Sequence, residues 1–131
     1  MKDFSAPGAV ILLLDSDPVT RSVLHDALRD SGYLVVSAAD LGAAIDRLHE
    51  IQPDLLVIRP WVDCMPGHIA ADNLRSRHSG LPVLMVDGFM DDDRIRDRNA
   101  IEGFHTFPPP YPRADLLRKV DEVLRHAHKH K

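Results

Sequence analysis

The sequence predicts a single α/β domain in which a five-stranded parallel sheet carries helices on both faces. Five short apolar runs alternate along the chain with segments whose apolar residues recur at helical spacing. Runs that are apolar throughout, rather than at every second residue, are typical of strands buried on both faces. A length of 131 residues suits one domain with a single core. Regular strand–helix alternation favours right-handed crossovers and therefore a parallel sheet.

Charge and composition exclude several classes of function. The formal net charge of −4 disfavours a general nucleic-acid-binding surface, which is usually basic. Cys64 is the only cysteine in the sequence, so no intramolecular disulfide forms, as is usual in a reducing cytoplasm. The apolar run at residues 10–14 is too short to cross a membrane. We therefore expect a cytoplasmic protein without direct nucleic-acid binding or membrane insertion.

The first elements are marked by their boundary residues. Residues 1–8 are expected to be a flexible leader, and residues 10–14 form the first strand. Asp17 is placed to cap a helix that has Pro18 at its first position, and Gly32 ends that helix. The apolar residues of this helix predict one buried stripe: Val19, Val23, Leu24, Ala27 and Leu28.

The middle of the chain continues the alternation. A second strand at residues 34–38 precedes a helix that Asp40 caps and Pro53 ends. The third strand, residues 55–58, leads into a loop over residues 60–67. The remaining predicted elements are a helix over 69–77, a strand over 83–86, a helix over 91–101, a strand over 104–107 and a helix from Arg113. The domain is expected to span residues 9–125, with a His/Lys-rich tail at 126–131.

The third strand ends on Arg59, which is the main candidate functional residue. In open α/β sheets, binding sites form at the carboxyl ends of the strands. Asp15, Asp17 and Asp87 follow other predicted strands and are expected at the same edge. Because a guanidinium donates paired hydrogen bonds to carboxylates, we expect Arg59 to hold Asp15 and Asp87 in a metal-free ionic network. Such pairing would lower the pKa of both aspartates.

Local patterns over about residues 10–124 resemble the receiver domain of bacterial response regulators. The patterns are Asp15-Ser16-Asp17-Pro18 after the first strand, residues 53–59, Gly67, residues 81–88 and Pro110-Tyr111. The resemblance implies a flavodoxin-like, three-layer α/β sandwich with strand order 2-1-3-4-5. It also implies a role in two-component or phosphorelay signal transduction.

The sequence departs from the family at the positions that carry its chemistry. The resemblance places Arg59 where the family has its phospho-accepting aspartate, and Ser16 where it has an acidic residue that binds Mg²⁺. Pro109 takes the place of the family's lysine. An arginine cannot accept a phosphoryl group as a carboxylate does, and its charge would repel a divalent cation. We therefore expect no catalytic residue, no Mg²⁺ and no other cofactor or metal.

The resemblance also assigns switch positions and an interaction face. Asp87 aligns with the family's switch hydroxyl residue and Thr106 with its switch aromatic, although a shift by one residue would bring His105 or Phe107 there. The interaction face implied is formed by the fourth helix, the fifth strand and the last helix. Its candidate residues are Arg94, Arg96, Arg98, Tyr111 and Arg113.

The expected function is a pseudo-receiver: a phosphorylation-independent module for protein–protein interaction in a signalling pathway, with a homodimer as one arrangement. Two alternatives stay open. One is a working phospho-receiver with a relocated acceptor, for which Asp63 is the candidate, and the other is a small-molecule sensor that uses the altered pocket.

Trp61 and Met65 form either a partner patch or local packing, and Cys64 is expected to be a passive thiol. The tail histidines His126, His128 and His130 are either solvated or metal-chelating.

Overall fold

A computed structural model describes residues 8–86, 103–107 and 112–129. Its strands are β1 (Val10–Leu14), β2 (Leu34–Ala38), β3 (Leu55–Ile58), β4 (Trp61–Val62), β5 (Met65–Pro66), β6 (Val83–Val86) and β7 (Phe104–Phe107). Its helices are α1 (Pro18–Asp30), α2 (Leu41–Leu48), α3 (Gly67–Arg77) and α4 (Arg113–Lys129). The helix expected over 91–101 and the leader up to residue 7 lie outside the described residues.

Five parallel strands form the sheet in the order β2-β1-β3-β6-β7. Because β6 and β7 are the fourth and fifth predicted strands, the predicted fold and strand order are confirmed. Every residue of β3 and of β6 is buried, since helices cover both faces of the sheet. One apolar core lies between the sheet and α2 and α3, and the other lies between the sheet and α1 and α4.

Helix α1 begins as predicted but buries a narrower stripe. The Asp17 carboxylate caps it by accepting the Thr20 backbone N–H at 3.0 Å. Val19 and Val23 were expected in the core, and that expectation is wrong: they are 71% and 62% exposed. The buried residues of the helix are Leu24, Ala27 and Leu28. At about 100° per residue, Val19 lies roughly 130° around the helix from the centre of that stripe, so it faces away from the sheet.

The segment expected to be a plain loop contains a small antiparallel hairpin, β4–β5. Val62 pairs with Met65, and the turn between them contains Asp63 with a left-handed φ of 58°. Aspartate tolerates this conformation better than most residues. Helix α3 then starts directly at Gly67, two residues before the start that its sequence pattern suggested.

Helix α4 continues to Lys129, so it extends beyond residue 125, where the domain was expected to end. His126 is therefore part of this helix. Within the described ranges, no helix combines the length and the apolar composition that a membrane-crossing segment needs.

Candidate functional site

The carboxyl ends of β1 and β3 bring Asp15 and Arg59 together. Leu14 and Ile58 are register partners in the two neighbouring strands, and Asp15 and Arg59 are the residues that follow them. Arg59 Nη1 lies 3.5 Å from Asp15 Oδ2. The Asp15 side chain is only 3% exposed, and that of Arg59 is 24% exposed. The result is an ion pair with a buried anion and a guanidinium that water partly reaches.

The remaining contacts of Asp15 fix the turn after β1. Its Oδ1 accepts the backbone N–H of Asp17 at 3.0 Å, and its backbone carbonyl accepts a hydrogen bond from Arg21 Nη1 at 3.0 Å. Asp15 Oδ2 accepts no hydrogen bond from the described residues, although it lies close to the Arg59 guanidinium. The buried Asp15 carboxylate is thus stabilised by one hydrogen bond, from the Asp17 backbone N–H, and by the positive charge of Arg59.

The pKa of Asp15 is shifted in the direction opposite to our expectation. Burial raises the pKa of Asp15, and the backbone N–H of Asp17 and the charge of Arg59 oppose that rise without cancelling it. The expected lowering is therefore wrong for Asp15, because pairing with one partly hydrated arginine does not replace the lost water. The pKa of Asp17 is lowered, chiefly by hydrogen bonds from Thr20, so this shift reflects helix capping.

Ser16 has a structural role that its alignment alone did not suggest. Its Oγ accepts the backbone N–H of Asp63 at 2.8 Å, which ties the turn of the β4–β5 hairpin to the loop after β1. The sequence marks Ser16 only as the replacement of a metal ligand, because its pattern does not predict the hairpin. Asp63 itself is exposed at the tip of this hairpin.

Gly67 holds the base of the hairpin against the strand end that carries Arg59. A Cβ at position 67 would lie 2.1 Å from the backbone oxygen of Arg59, which is far inside van der Waals contact. The Gly67 N–H also donates to the carbonyl of Pro60 at 2.6 Å. Glycine is therefore required here by close backbone approach.

The other candidate residues are placed apart from the Asp15–Arg59 pair. Thr106 is partly buried on β7, where it is the register partner of Met85. Arg113 is exposed at the start of α4, and its Nη2 lies 3.8 Å from Asp30 Oδ2 of α1. The candidates that fall outside the described residues are Asp87, Pro109, Arg94, Arg96, Arg98 and Tyr111.

Of the two interpretations of Trp61 and Met65, a surface patch suits Trp61 and local packing suits Met65. Trp61 is 55% exposed, whereas Met65 is partly buried and packs against the core beneath α2 and α3. Cys64 is an exposed free thiol at the hairpin turn. Trp61 therefore belongs to the surface, and Met65 belongs to the packing that anchors the hairpin.

The resemblance implies a bound Mg²⁺ at the carboxyl ends of β1 and β3, where Asp15, Ser16 and Arg59 lie. Mg²⁺ requires several oxygen ligands in near-octahedral geometry. No group of three or more metal-ligating side chains occurs within the described ranges. Asp15 Oδ2 faces a guanidinium, and the oxygen of Ser16 accepts a backbone N–H from the hairpin. A divalent cation beside Asp15 would meet the positive charge of Arg59 at short range.

The strand order, with Asp15 after β1 and Arg59 after β3, is the layout that the resemblance to receiver domains implies. The family model described as the response regulator receiver domain matches residues 11–121, and the chain belongs to this family. The chain is 32% identical over 128 residues to the probable transcriptional regulatory protein TcrX of Mycobacterium tuberculosis, covering 95% of this chain and 53% of that protein. It is 28% identical over 120 residues to the response regulator MprA of Mycobacterium bovis, covering 88% and 50%. The chain thus spans about half the length of these two relatives.

Solved structures of receiver proteins share this fold. A response regulator receiver domain protein from Clostridium thermocellum has a TM-score of 0.82 at 15% identity, covering 94% of this chain and 99% of that one. The chemotaxis protein CheY4 of Vibrio cholerae has a TM-score of 0.78 at 22% identity, covering 88% and 98%. Receiver domains are signalling modules of two-component systems, in which they interact with partner kinases and output domains.

Proposed function

We propose that this receiver domain acts in two-component or phosphorelay signalling through protein–protein contacts that need no aspartyl phosphate at position 59. The observation that carries the proposal is the ion pair between Arg59 and the buried Asp15, with 3.5 Å between Nη1 and Oδ2. A cation built into the chain occupies the end of β3, which is the position from which the family presents its phospho-accepting carboxylate.

The chemistry of arginine supports this proposal. A guanidinium stays protonated at any pH that a folded protein meets, and it has no lone pair suited to attack phosphorus. Transfer to position 59 would also need a metal ion to neutralise the incoming phosphoryl oxygens. We propose that the domain binds no Mg²⁺, because Asp15 has a guanidinium beside it and Ser16 supplies a hydroxyl in place of a carboxylate.

Arg59 then serves as a permanent counter-charge for Asp15. In a working receiver, phosphorylation changes the charge at the end of the third strand and so changes the domain's state. Here the positive charge at that position is fixed by the sequence, so a partner would meet the domain in a single state.

We propose another signalling protein as the partner, with a second copy of the chain as the alternative. The net charge of −4 supports a protein partner over nucleic acid.

Phosphodonor treatment tests the proposal directly. The purified chain is incubated with Mg²⁺ and acetyl phosphate, and its intact mass is measured before and after hydroxylamine. We expect no phosphoryl adduct, while a receiver domain with an aspartate at the corresponding position gains one in parallel. A hydroxylamine-labile adduct on any aspartate, including Asp63, would overturn the proposal and favour a relocated acceptor. A small molecule that raised the melting temperature and displaced a bound partner would instead favour the sensor alternative.

A further inference from the structure

His105 lies on the face of β7 that α4 covers. Neighbouring side chains on a strand point to opposite faces of the sheet. Phe104 packs into the core beneath α2 and α3, and Phe107 packs into the core beneath α1 and α4. His105 therefore shares the α4 side with Phe107, and its register partner on β6 is the fully buried Leu84. The imidazole is partly buried in the layer between sheet and helix.

Two helices place charged or titratable groups around this imidazole. From α4, the ring of His126 meets that of His105 edge to face, with 6.2 Å between ring centroids and 82° between ring planes. Lys119 and Glu122 lie on the same helix, with Nζ and Oε2 3.0 Å apart. From α3, Arg75 reaches the start of β7, where its Nη2 lies 3.1 Å from the position of a Cβ on Gly103.

This environment favours the neutral form of His105. Burial lowers the pKa of His105, and the charges of Lys119 and His126 lower it further. Arg75 acts in the same direction, while Glu122 opposes it. The carboxylate of Glu122 is already engaged by Lys119, which limits its ability to compensate a second cation.

We propose that the contact between His105 and His126 makes the docking of the C-terminal half of α4 on β7 sensitive to pH. A proton on His105 would place a cation in the α4 layer beside Lys119, and the charge of Arg75, which reaches the start of β7 from α3, would add to the repulsion. The protein relieves that charge by moving the end of α4 away from the strand. The proposal goes beyond the interaction function above and holds with or without a bound partner.

The direction of the pH effect follows from linkage. The pKa of His105 is lower in the folded chain than in the unfolded chain, where it is about 6.5. The unfolded chain therefore takes up the proton first as pH falls. The stabilisation that neutral His105 provides is fully present above the pKa of the unfolded chain. It is lost as the pH falls from that pKa toward the lower pKa of the folded chain.

Thermal melts of the whole chain at about pH 8 and about pH 5.5 test the proposal. The wild type is compared with His105→Gln, which is neutral throughout, and with His49→Gln at an exposed histidine after α2. We expect the acid-induced drop in melting temperature to be about 2–4 °C smaller in His105→Gln and unchanged in His49→Gln. Equal drops in all three proteins would overturn the proposal.

A second measurement uses only the wild type and so does not depend on the folding of a variant. The imidazole resonances are followed by NMR during titration, together with amide hydrogen exchange in α4. We expect His105 to titrate below the ordinary histidine range, and the amides of Val120 to Leu124 to lose protection as it does. Titration at or above the ordinary value, or protection that is independent of pH, would refute the mechanism.

Discussion

Replacing Arg59 with methionine isolates the role of the guanidinium at the end of β3. Methionine keeps the length and the apolar stem of the side chain but removes its charge. At 3.5 Å, an ion pair in an effective dielectric of about 20 is worth roughly 5 kcal/mol before desolvation is subtracted. Breaking a fully buried pair costs about 3–5 kcal/mol. Because the Arg59 side chain is 24% exposed, water screens the pair and we expect a loss of about 1–3 kcal/mol.

The assay is thermal unfolding at neutral and acidic pH. For a chain of this size, about 1 kcal/mol corresponds to about 4 °C, so Arg59→Met should melt about 4–12 °C below the wild type at neutral pH. The sign of the pH dependence follows from the raised pKa of Asp15. The folded chain takes up this proton before the unfolded chain does, so the cost of the buried charge disappears as pH falls toward the ordinary aspartate value. The difference between Arg59→Met and the wild type should therefore shrink in acid.

Arg47→Met is the matched control. Arg47 also pairs with a carboxylate, at 3.1 Å from Glu50, but both of those side chains are largely exposed. An exposed pair contributes about 0–1 kcal/mol, so this variant should melt within a few degrees of the wild type. If Arg59→Met and Arg47→Met had the same melting temperature at neutral pH, the buried ion pair would not stabilise the fold and our reasoning about Arg59 would fail.

Three further substitutions test the hairpin and the interaction face. Gly67→Ala should lower the free energy of unfolding in urea by about 3 kcal/mol, the upper end of the usual overpacking cost, because the new methyl group collides with backbone; wild-type stability would disprove the close approach. Ser16→Ala removes the acceptor for the hairpin turn and should cost about 0.5–1.5 kcal/mol in the same assay, with faster amide exchange at the turn; unchanged exchange would contradict the contact. Reversing Arg94 and Arg98 to glutamate should slow association with a captured partner and alter its salt dependence, as measured by surface plasmon resonance; unchanged association would exclude the predicted face.

Much of the fold follows from patterns that act over short distances. The unbroken apolar run of β3 is confirmed as a strand buried on both faces, and Asp17 caps α1 as its position predicts. The proximity of Asp15 and Arg59 followed from topology alone, because the carboxyl ends of neighbouring parallel strands meet at one edge of the sheet. These inferences succeed because they need only the chain order and the period of the apolar residues.

Most of the wrong or missed predictions concern features that depend on contacts between distant parts of the chain. Val23 is apolar at helical spacing, yet its exposure depends on how wide a stripe the sheet covers. The direction of the pKa shift of Asp15 depends on whether burial outweighs the hydrogen bond and the charge of its partners. The degree of burial cannot be measured from the sequence. The contact between His105 and His126 joins β7 to α4. It was missed because the His/Lys-rich composition of residues 126–131 suggested a tail, whereas α4 continues to Lys129. The β4–β5 hairpin has strands of two residues, which are too short to produce a periodic signal.

The position of the chain's single tryptophan has a practical consequence. Trp61 begins the hairpin whose turn is tied to Ser16 and whose base is held by Gly67 against the Arg59 carbonyl. The indole is 55% exposed, so a docking protein that covered it would change both its polarity and its access to quenchers. Tryptophan emission of the unmodified protein, excited at a wavelength that tyrosine does not absorb, therefore reports on one small region next to the candidate site. A partner that binds there would shift or protect the emission, whereas one bound on the far side of the sheet would leave it unchanged.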